Sequence, residues 1–338
     1  MKTFGLRMAG LEATRRRLVL GAGALASAAV LLGGMRDARA QDYPSQDIRL
    51  ICAFPAGSGA DVLVRYFAEK LRPIASRTVI VENKVGASGN IAAEYLAKSK
   101  PDGHTIFVHA ATAVAANQSL FRKAPFDAAK DIRIAATINQ QPWMLAVRSD
   151  SPYKTVAELT AAMKEKGDKA SFSTNAPTGR IMAALYKQAA GLTAVEVIYR
   201  TAPDTLNELT SGKLDYALYD PVFALAQQRA GRVRLLASGS SKRFDAIADL
   251  PTMTELGMPM DVTNWWAAMV PTGTPKPTID KIHRWFVQMV SSDETKEYLN
   301  KFGGEAYITT PEKAQELFEA AIKEWGDYVR IAKIEPLG

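Results

Sequence analysis

Two stretches place glycine, serine and other small residues directly between an apolar strand and an amphipathic helix. They are Phe54-Pro55-Ala56-Gly57-Ser58-Gly59-Ala60-Asp61 and Asn83-Lys84-Val85-Gly86-Ala87-Ser88-Gly89-Asn90. Glycine permits positive φ and removes bulk, so such a loop folds tightly and presents its N–H groups. At a helix N-terminus those groups lack partners, and the macrodipole favours an anion. Two strand–loop–helix units in succession imply adjacent parallel strands with both loops at one end of a sheet. The chemistry expected of the pair is capture of a small carboxylate; a pair of tight turns that binds nothing is the bland alternative.

Other motifs are less complete. The first loop lacks the G-x-G-x-x-G spacing of a dinucleotide site and the lysine of a phosphate loop. Ser88 stands where a nucleophile elbow would place its serine, but residue 90 is Asn where that motif closes on glycine. A serine hydrolase, which also needs an Asp and a His downstream, is the remote reading, because the histidines are only His104, His109 and His283. His104 and His109 fall on opposite faces of one expected strand, so no metal site and no cofactor are expected. Cys52, the single cysteine, excludes an intrachain disulfide and reads as a small buried hydrophobe. Arg180, in the first turn of a helix after Asn175-Ala176-Pro177-Thr178-Gly179, opposes the dipole; a ligand anion, solvent or Asp220 would compensate it. Of Trp265 and Trp266, one is expected in the core and one on a cleft wall. Tyr199-Arg200-Thr201-Ala202-Pro203 either lines the cleft or turns the chain.

The N-terminus reads as a targeting segment. Arg15-Arg16-Arg17 precedes an apolar run from Leu18 to Leu32, and Ala38-Arg39-Ala40 is an A-x-A cleavage signal. Residues 1–40 are therefore expected to be a twin-arginine-like signal peptide, removed on export to the periplasm; a Sec-type signal and an uncleaved anchor are the alternatives. Those residues carry seven Lys/Arg and two Asp/Glu, which leaves 35 basic and 33 acidic residues and a formal charge of +2. That balance, with no basic run interleaved with aromatics, gives no case for nucleic acid.

The remaining 298 residues exceed one ordinary core. Strands are expected at Ile48–Ala53, Thr78–Glu82, Thr105–His109, Ile132–Ile138 and Trp143–Val147, with helices at Val62–Leu71 and Ile91–Lys98. A second α/β layer follows: helix Thr155–Lys166 capped by Thr155 and Glu158, strand Ala170–Thr174, helix Thr178–Ala190, strand Val195–Tyr199, helix Asp204–Ser211, strand Tyr216–Tyr219, helix Val222–Ala230 and strand Val233–Ser238. Leu250–Gly257 is expected as a short helix closed by glycine. After an apolar run at Trp265–Val270, helices are expected at Ile279–Ser291, Glu294–Phe302 and Pro311–Ala332. The fold class is α/β, two lobes each built on a mixed, mostly parallel sheet flanked by helices. The lobes are 41–147 plus 264–338 and 148–263, joined by two linkers beside a cleft.

With these residues on the page, the mature chain resembles the substrate-binding proteins of tripartite tricarboxylate transporters, the Bug-type receptors. The marks are Tyr43-Pro44-Ser45, Phe54-Pro55-Ala56-Gly57 through Asp61, Val81-Glu82-Asn83-Lys84, Gly86-Ala87-Ser88-Gly89-Asn90-Ile91, Pro101-Asp102-Gly103-His104-Thr105, Pro251-Thr252-Met253-Thr254-Glu255-Leu256-Gly257 and Pro271-Thr272-Gly273-Thr274-Pro275. The resemblance implies a non-catalytic Venus-flytrap receptor, expected to be a monomer, that delivers a mono- or dicarboxylate to a membrane permease. Presentation of the liganded surface to a membrane sensor kinase is the alternative. Carried over, the ligand-binding positions are Ala56, Gly57, Ser58 and Gly59, then Gly86, Ala87, Ser88, Gly89 and Asn90, with Thr112 and Asp220. The second lobe departs from the family where Asn175–Arg180 and Thr201-Ala202 stand, so Thr178, Gly179, Arg180 and Thr201 are the expected readers of the ligand's far end. Arg180 in particular would make a second anion site there.

Overall fold

The computed structural model describes residues 43–337 apart from 175, 200 and 332; the expected signal segment, residues 1–40, lies outside them. No helix among the described residues is long and apolar enough to cross a membrane.

Strand β1 (Ile48–Cys52) is an apolar run whose Ile48, Leu50, Ile51 and Cys52 are fully buried, the pattern of a strand covered on both faces. It pairs in parallel with β2 (Val79–Asn83) and with β3 (Thr105–Ala110), setting Ile48 opposite Val79 and Arg49 opposite Thr105. Helices α1 (Gly59–Ala75) and α2 (Asn90–Ala97) make the two crossovers. In α1 the Ser58 hydroxyl accepts the Asp61 N–H at the start, and Leu63, Val64, Phe67 and Leu71 form the buried stripe. Both glycine-containing loops therefore open at the C-terminal ends of adjacent parallel strands.

After β3 the chain turns straight into α3 (Ala111–Leu120), whose start no side chain caps. The helix is buried on nearly every side, so no polar face marks it in the sequence. A short α4 (Ala128–Asp131) leads to β4 (Ile132–Pro142), which runs four residues past its expected end. Next come β5 (Met144–Arg148), α5 (Val156–Lys166), β6 (Ser171–Thr174), α6 (Pro177–Ala190), β7 (Val195–Glu196), α7 (Ala202–Thr210), β8 (Tyr216–Tyr219), α8 (Pro221–Arg229) and β9 (Val233–Ser238). The chain closes with β10 (Thr263–Pro271), α9 (Lys276–Val290), α10 (Asp293–Lys301), β11 (Glu305–Ala306) and α11 (Pro311–Ile331). The buried stripe of α11, Ala314, Phe318, Ala321, Trp325 and Val329, packs on α3 and β4.

Two sheets result, ordered β11-β4-β10-β3-β1-β2 and β7-β6-β8-β5-β9. The parallel pairs are β1–β2, β1–β3, β6–β7 and β6–β8; β10 runs antiparallel to β3 and β4, and β5 antiparallel to β8 and β9. The antiparallel share exceeds what strand–helix alternation implies, for a topological reason. Strand β4 leaves the first sheet at the point where β10 re-enters it, and β5 enters the second sheet where β9 leaves, so each pair must run in opposite directions.

The change of sheet falls at Trp143, earlier than the expected boundary at 148. The outgoing and returning segments are hydrogen-bonded to each other throughout. Pro142 is registered with Thr263 and Met144 with Ser238. Between them Trp143 donates to Val262 at 3.3 Å, Gly239 donates to Trp143 at 2.8 Å, and Val262 donates to Gly239 at 2.7 Å.

Two local expectations are corrected. Leu250–Gly257 is a run of turns, not a helix. Thr252 and Glu255 do cap each other at 3.0 Å in both directions, but Ser238 and Met253 hold this segment in a bridge to β9. The strand expected to reach Tyr199 is laddered only at Val195–Glu196, because β7 is the sheet's edge and has a partner on one side alone.

Candidate functional site

The first loop is fixed from beneath by Asp61, which is fully buried. Its carboxylate accepts the Gly57 N–H at 2.8 Å, Arg65 Nε at 2.8 Å and Asn83 Nδ2 at 2.6 Å. Asn83, at the end of β2, also donates to the Phe54 carbonyl at 2.9 Å, tying the first loop to the strand that launches the second. Burial pushes the Asp61 carboxyl up, but the three hydrogen bonds together outweigh it and hold it down at about 2. The loop is thus built on a permanent buried anion whose charge is spent inside the protein.

The second loop is strained and clamped. Ala87 and Ser88, neither of them glycine, hold φ of 45° and 54°, a conformation that costs an L-residue about 1–2 kcal/mol. Asn117 on α3 compensates by donating to the Ser88 carbonyl at 2.9 Å and to Asn90 Oδ1 at 2.8 Å. Gly89, at φ 92°, must be glycine for a second reason: a Cβ there would lie 2.9 Å from His109 Nε2. His109 is buried, and burial lowers its imidazole to about 4, so the ring is neutral.

These loops form one end of a cavity of about 890 Å³ between the two sheets. Gly59, Ala60 and Ser88 line it, and their N–H groups make no hydrogen bond within the described chain. Part of the wall is aromatic. Phe54 stacks on Trp266 at 5.9 Å between centroids and meets the His109 ring at 5.0 Å, while Trp265 turns away to pack against Tyr307. From the second sheet come Ala176 and Thr178 at the start of α6, with Asp220 and Phe223 at the start of α8; Tyr298 and Phe302 of the α10 segment complete the wall. Three cavity-lining residues carry a buried polar atom with no protein partner: His109 Nδ1, Asn139 Oδ1 and Trp143 Nε1. Buried polar atoms are rarely left so.

The expected site residues divide. Gly57, Gly59, Gly86, Ser88, Gly89, Thr178 and Asp220 line the cavity; Ala56, Ser58, Ala87, Asn90, Thr112, Gly179, Arg180 and Thr201 do not. Most of the second group support the wall instead. Ser58 caps α1, Asn90 is held by Asn117, and Thr201 caps α7 through the Asp204 N–H. Thr112 is hydrogen-bonded to Asn264, itself a lining residue, at 3.1 Å. Gly179 makes room: a Cβ there would lie 1.9 Å from Thr174 Oγ1 and 2.8 Å from the Trp143 ring.

Arg180 is the substantive correction. Its Nε donates to both carboxylate oxygens of Glu196, at 2.8 and 3.1 Å, so Glu196 compensates the cation that was expected to face a ligand anion. Asp220, its expected alternative partner, instead caps α8 by accepting the Phe223 N–H at 3.0 Å. Sequence reading missed Asn117, Asn139, Gln141, Asn264 and Phe54. The alternation of Asn139 and Gln141 would have signalled a strand face continuing to Pro142. Ser88 and His109 are joined by no hydrogen bond, and no cluster of metal-ligating side chains occurs among the described residues.

Comparison with known proteins gives a consistent picture. The family profile described as tripartite tricarboxylate transporter family receptor matches residues 63–334. BugT of Bordetella pertussis is 27% identical over 295 residues, covering 86% of this chain and 90% of its own. Among solved structures, Rpa4515 of R. palustris with adipate superposes with a TM-score of 0.77 at 27% identity, over 88% of this chain and all of that one. The periplasmic binding protein BugD gives 0.73 at 26% identity, over 87% of this chain and all of its own. The two mixed sheets are thus the two lobes of a periplasmic-binding-protein fold, and the chain belongs to the family of tripartite tricarboxylate transporter receptors.

Proposed function

We propose that the protein works in the periplasm, capturing a small organic carboxylate between its lobes and delivering it, without chemistry, to a membrane permease of the tripartite tricarboxylate type. The observation that carries this reading is the set of unpartnered N–H groups at Gly59, Ala60 and Ser88, on two loops that line one cavity. Oriented backbone donors at a helix start bind an anion without importing a buried cation. Adipate in the related Rpa4515 is a carboxylate of suitable size. The two lobes, which part at Trp143 and meet again at Val262, would close on the ligand because it touches both.

A thermal-shift screen of aliphatic and aromatic carboxylates against their uncharged amides tests the reading. A ligand at about a hundred times its Kd adds roughly 2.7 kcal/mol of stability, a clear rise in Tm. Equal shifts with acids and amides, or none with any acid, would overturn it.

A further inference from the structure

Among the described residues, charge enters the cavity from one side. Among the described residues that line it, Asp220 is the one charged side chain, with no Lys or Arg. Asp220 stands at the start of α8, which packs on the second sheet, whereas the donor loops belong to the first, and its carboxylate also caps that helix. A helix start that could have served a second anion is therefore already occupied by an acid of the chain itself. Arg180, the residue placed to offset it, is held by Glu196.

Burial pushes the Asp220 carboxyl above its ordinary range, ahead of the hydrogen bonds from Phe223 and Val222 that lower it. A second ligand carboxylate here would meet a like charge in a poorly solvated space, an arrangement that disfavours ionisation of both. A donor would meet an acceptor. Phe54, Trp266 and Phe223 supply apolar wall to the same cavity, beside the neutral amides of Asn139, Gln141 and Asn264.

Building on the carboxylate capture proposed above, we infer that the cargo is a monocarboxylate with an apolar middle and a hydrogen-bond donor, an amine or a hydroxyl, at its far end opposite Asp220. The first-lobe loops take the carboxylate and the second lobe reads the terminus. A dicarboxylate of the same length is discriminated against by charge, not by size. Specificity of this kind rests on a repulsive element as much as on an attractive one.

Calorimetry on the full mature chain tests the inference with hexanoate, 6-hydroxyhexanoate, 6-aminohexanoate, adipate and hexylamine, and with shorter and longer homologues of each. The expected order is amine and hydroxyl acids tightest, with 6-aminohexanoate roughly ten- to a hundred-fold above both hexanoate and adipate, the span of one charge-assisted hydrogen bond. Asp220→Asn should erase that order by weakening the amino acid most. Asn caps a helix as well as Asp does, so α8 keeps its start and the melting temperature checks the fold. Adipate or hexanoate binding as tightly as 6-aminohexanoate across the homologues would overturn the donor-terminus inference while leaving carboxylate capture intact. Hexylamine binding as tightly as 6-aminohexanoate, or no acid of any length binding, would overturn carboxylate capture itself.

Discussion

Asp61→Asn keeps the volume of the buried hub and removes its charge. Three donors converge on this carboxylate, the Gly57 N–H, Arg65 and Asn83, so an amide must turn its own NH2 towards at least one of them. The carboxyl sits at about 2 in the fold against an ordinary 3.8. A difference of nearly two units corresponds to about 2 kcal/mol of stability. The donor left facing an NH2 group adds about 1–3 kcal/mol, so the substitution should cost roughly 3–5 kcal/mol near neutral pH. The folded value is depressed, so the charge-dependent part is fully present above the ordinary carboxylate range and is lost as pH falls through about 2. Urea unfolding of both proteins along a pH series should show their difference shrinking from about pH 4 downward, with other acid-titrating groups cancelling. Because Asp61 tethers Gly57, carboxylate affinity should fall with stability. A cost below about 1 kcal/mol, or a difference that stays constant to the lowest pH at which both fold, would refute the account of the loop as built on a buried anion.

Arg180→Ala should lower stability by less than about 1 kcal/mol, since the pair with Glu196 is half-exposed. It should change calorimetric ligand affinity by no more than about twofold; a loss of roughly tenfold would return Arg180 to the cleft. Gly179→Ala drives a Cβ into Thr174 and the Trp143 ring, and should cost about 1–3 kcal/mol in denaturant titration; a neutral result would mean α6 does not seat on the crossover. His109 is neutral because burial lowers it to about 4. Its contribution to stability is therefore complete above its ordinary value near 6.5 and is lost as pH falls through about 4. Ligand affinity should be flat between about pH 5 and pH 8, and a step near pH 6.5 would show that the ring protonates in the fold.

Legibility tracked the kind of signal each element carries. The two donor loops could be read because glycine and serine between an apolar run and an amphipathic run have few other uses. The helix Ala111–Leu120 could not, because a segment buried nearly all round has no polar face to set its period, and with it went Asn117, the residue that clamps the second loop. The strand expected at Ile132–Ile138 stops short of Asn139-Gln140-Gln141 for the opposite reason: a strand lining a polar part of a cavity exposes amides where a core strand would show apolar residues. Arg180 was read from its own helix alone. Its partner Glu196 lies on a strand sixteen residues further on, and only tertiary structure brings the two together. The aromatic pair Trp265-Trp266 was legible because alternation along a strand sends neighbours to opposite sides.

The paired crossovers have a mechanical consequence. Two independent single-strand linkers would let the halves of a molecule swivel, shear and twist, and many poses would count as open. Here Trp143, Gly239 and Val262 lock outgoing and returning chain into one short ribbon, which flexes across its thin direction but resists sliding, because sliding breaks every rung at once. Motion should therefore collapse onto a single coordinate, like a leaf spring with one soft axis. Trp143 sits in the middle of that spring and is also a residue of the cavity wall, where filling the space and bending the ribbon are felt by the same residue. A partner that docks on this protein would then need to measure only one angle to know whether it is loaded.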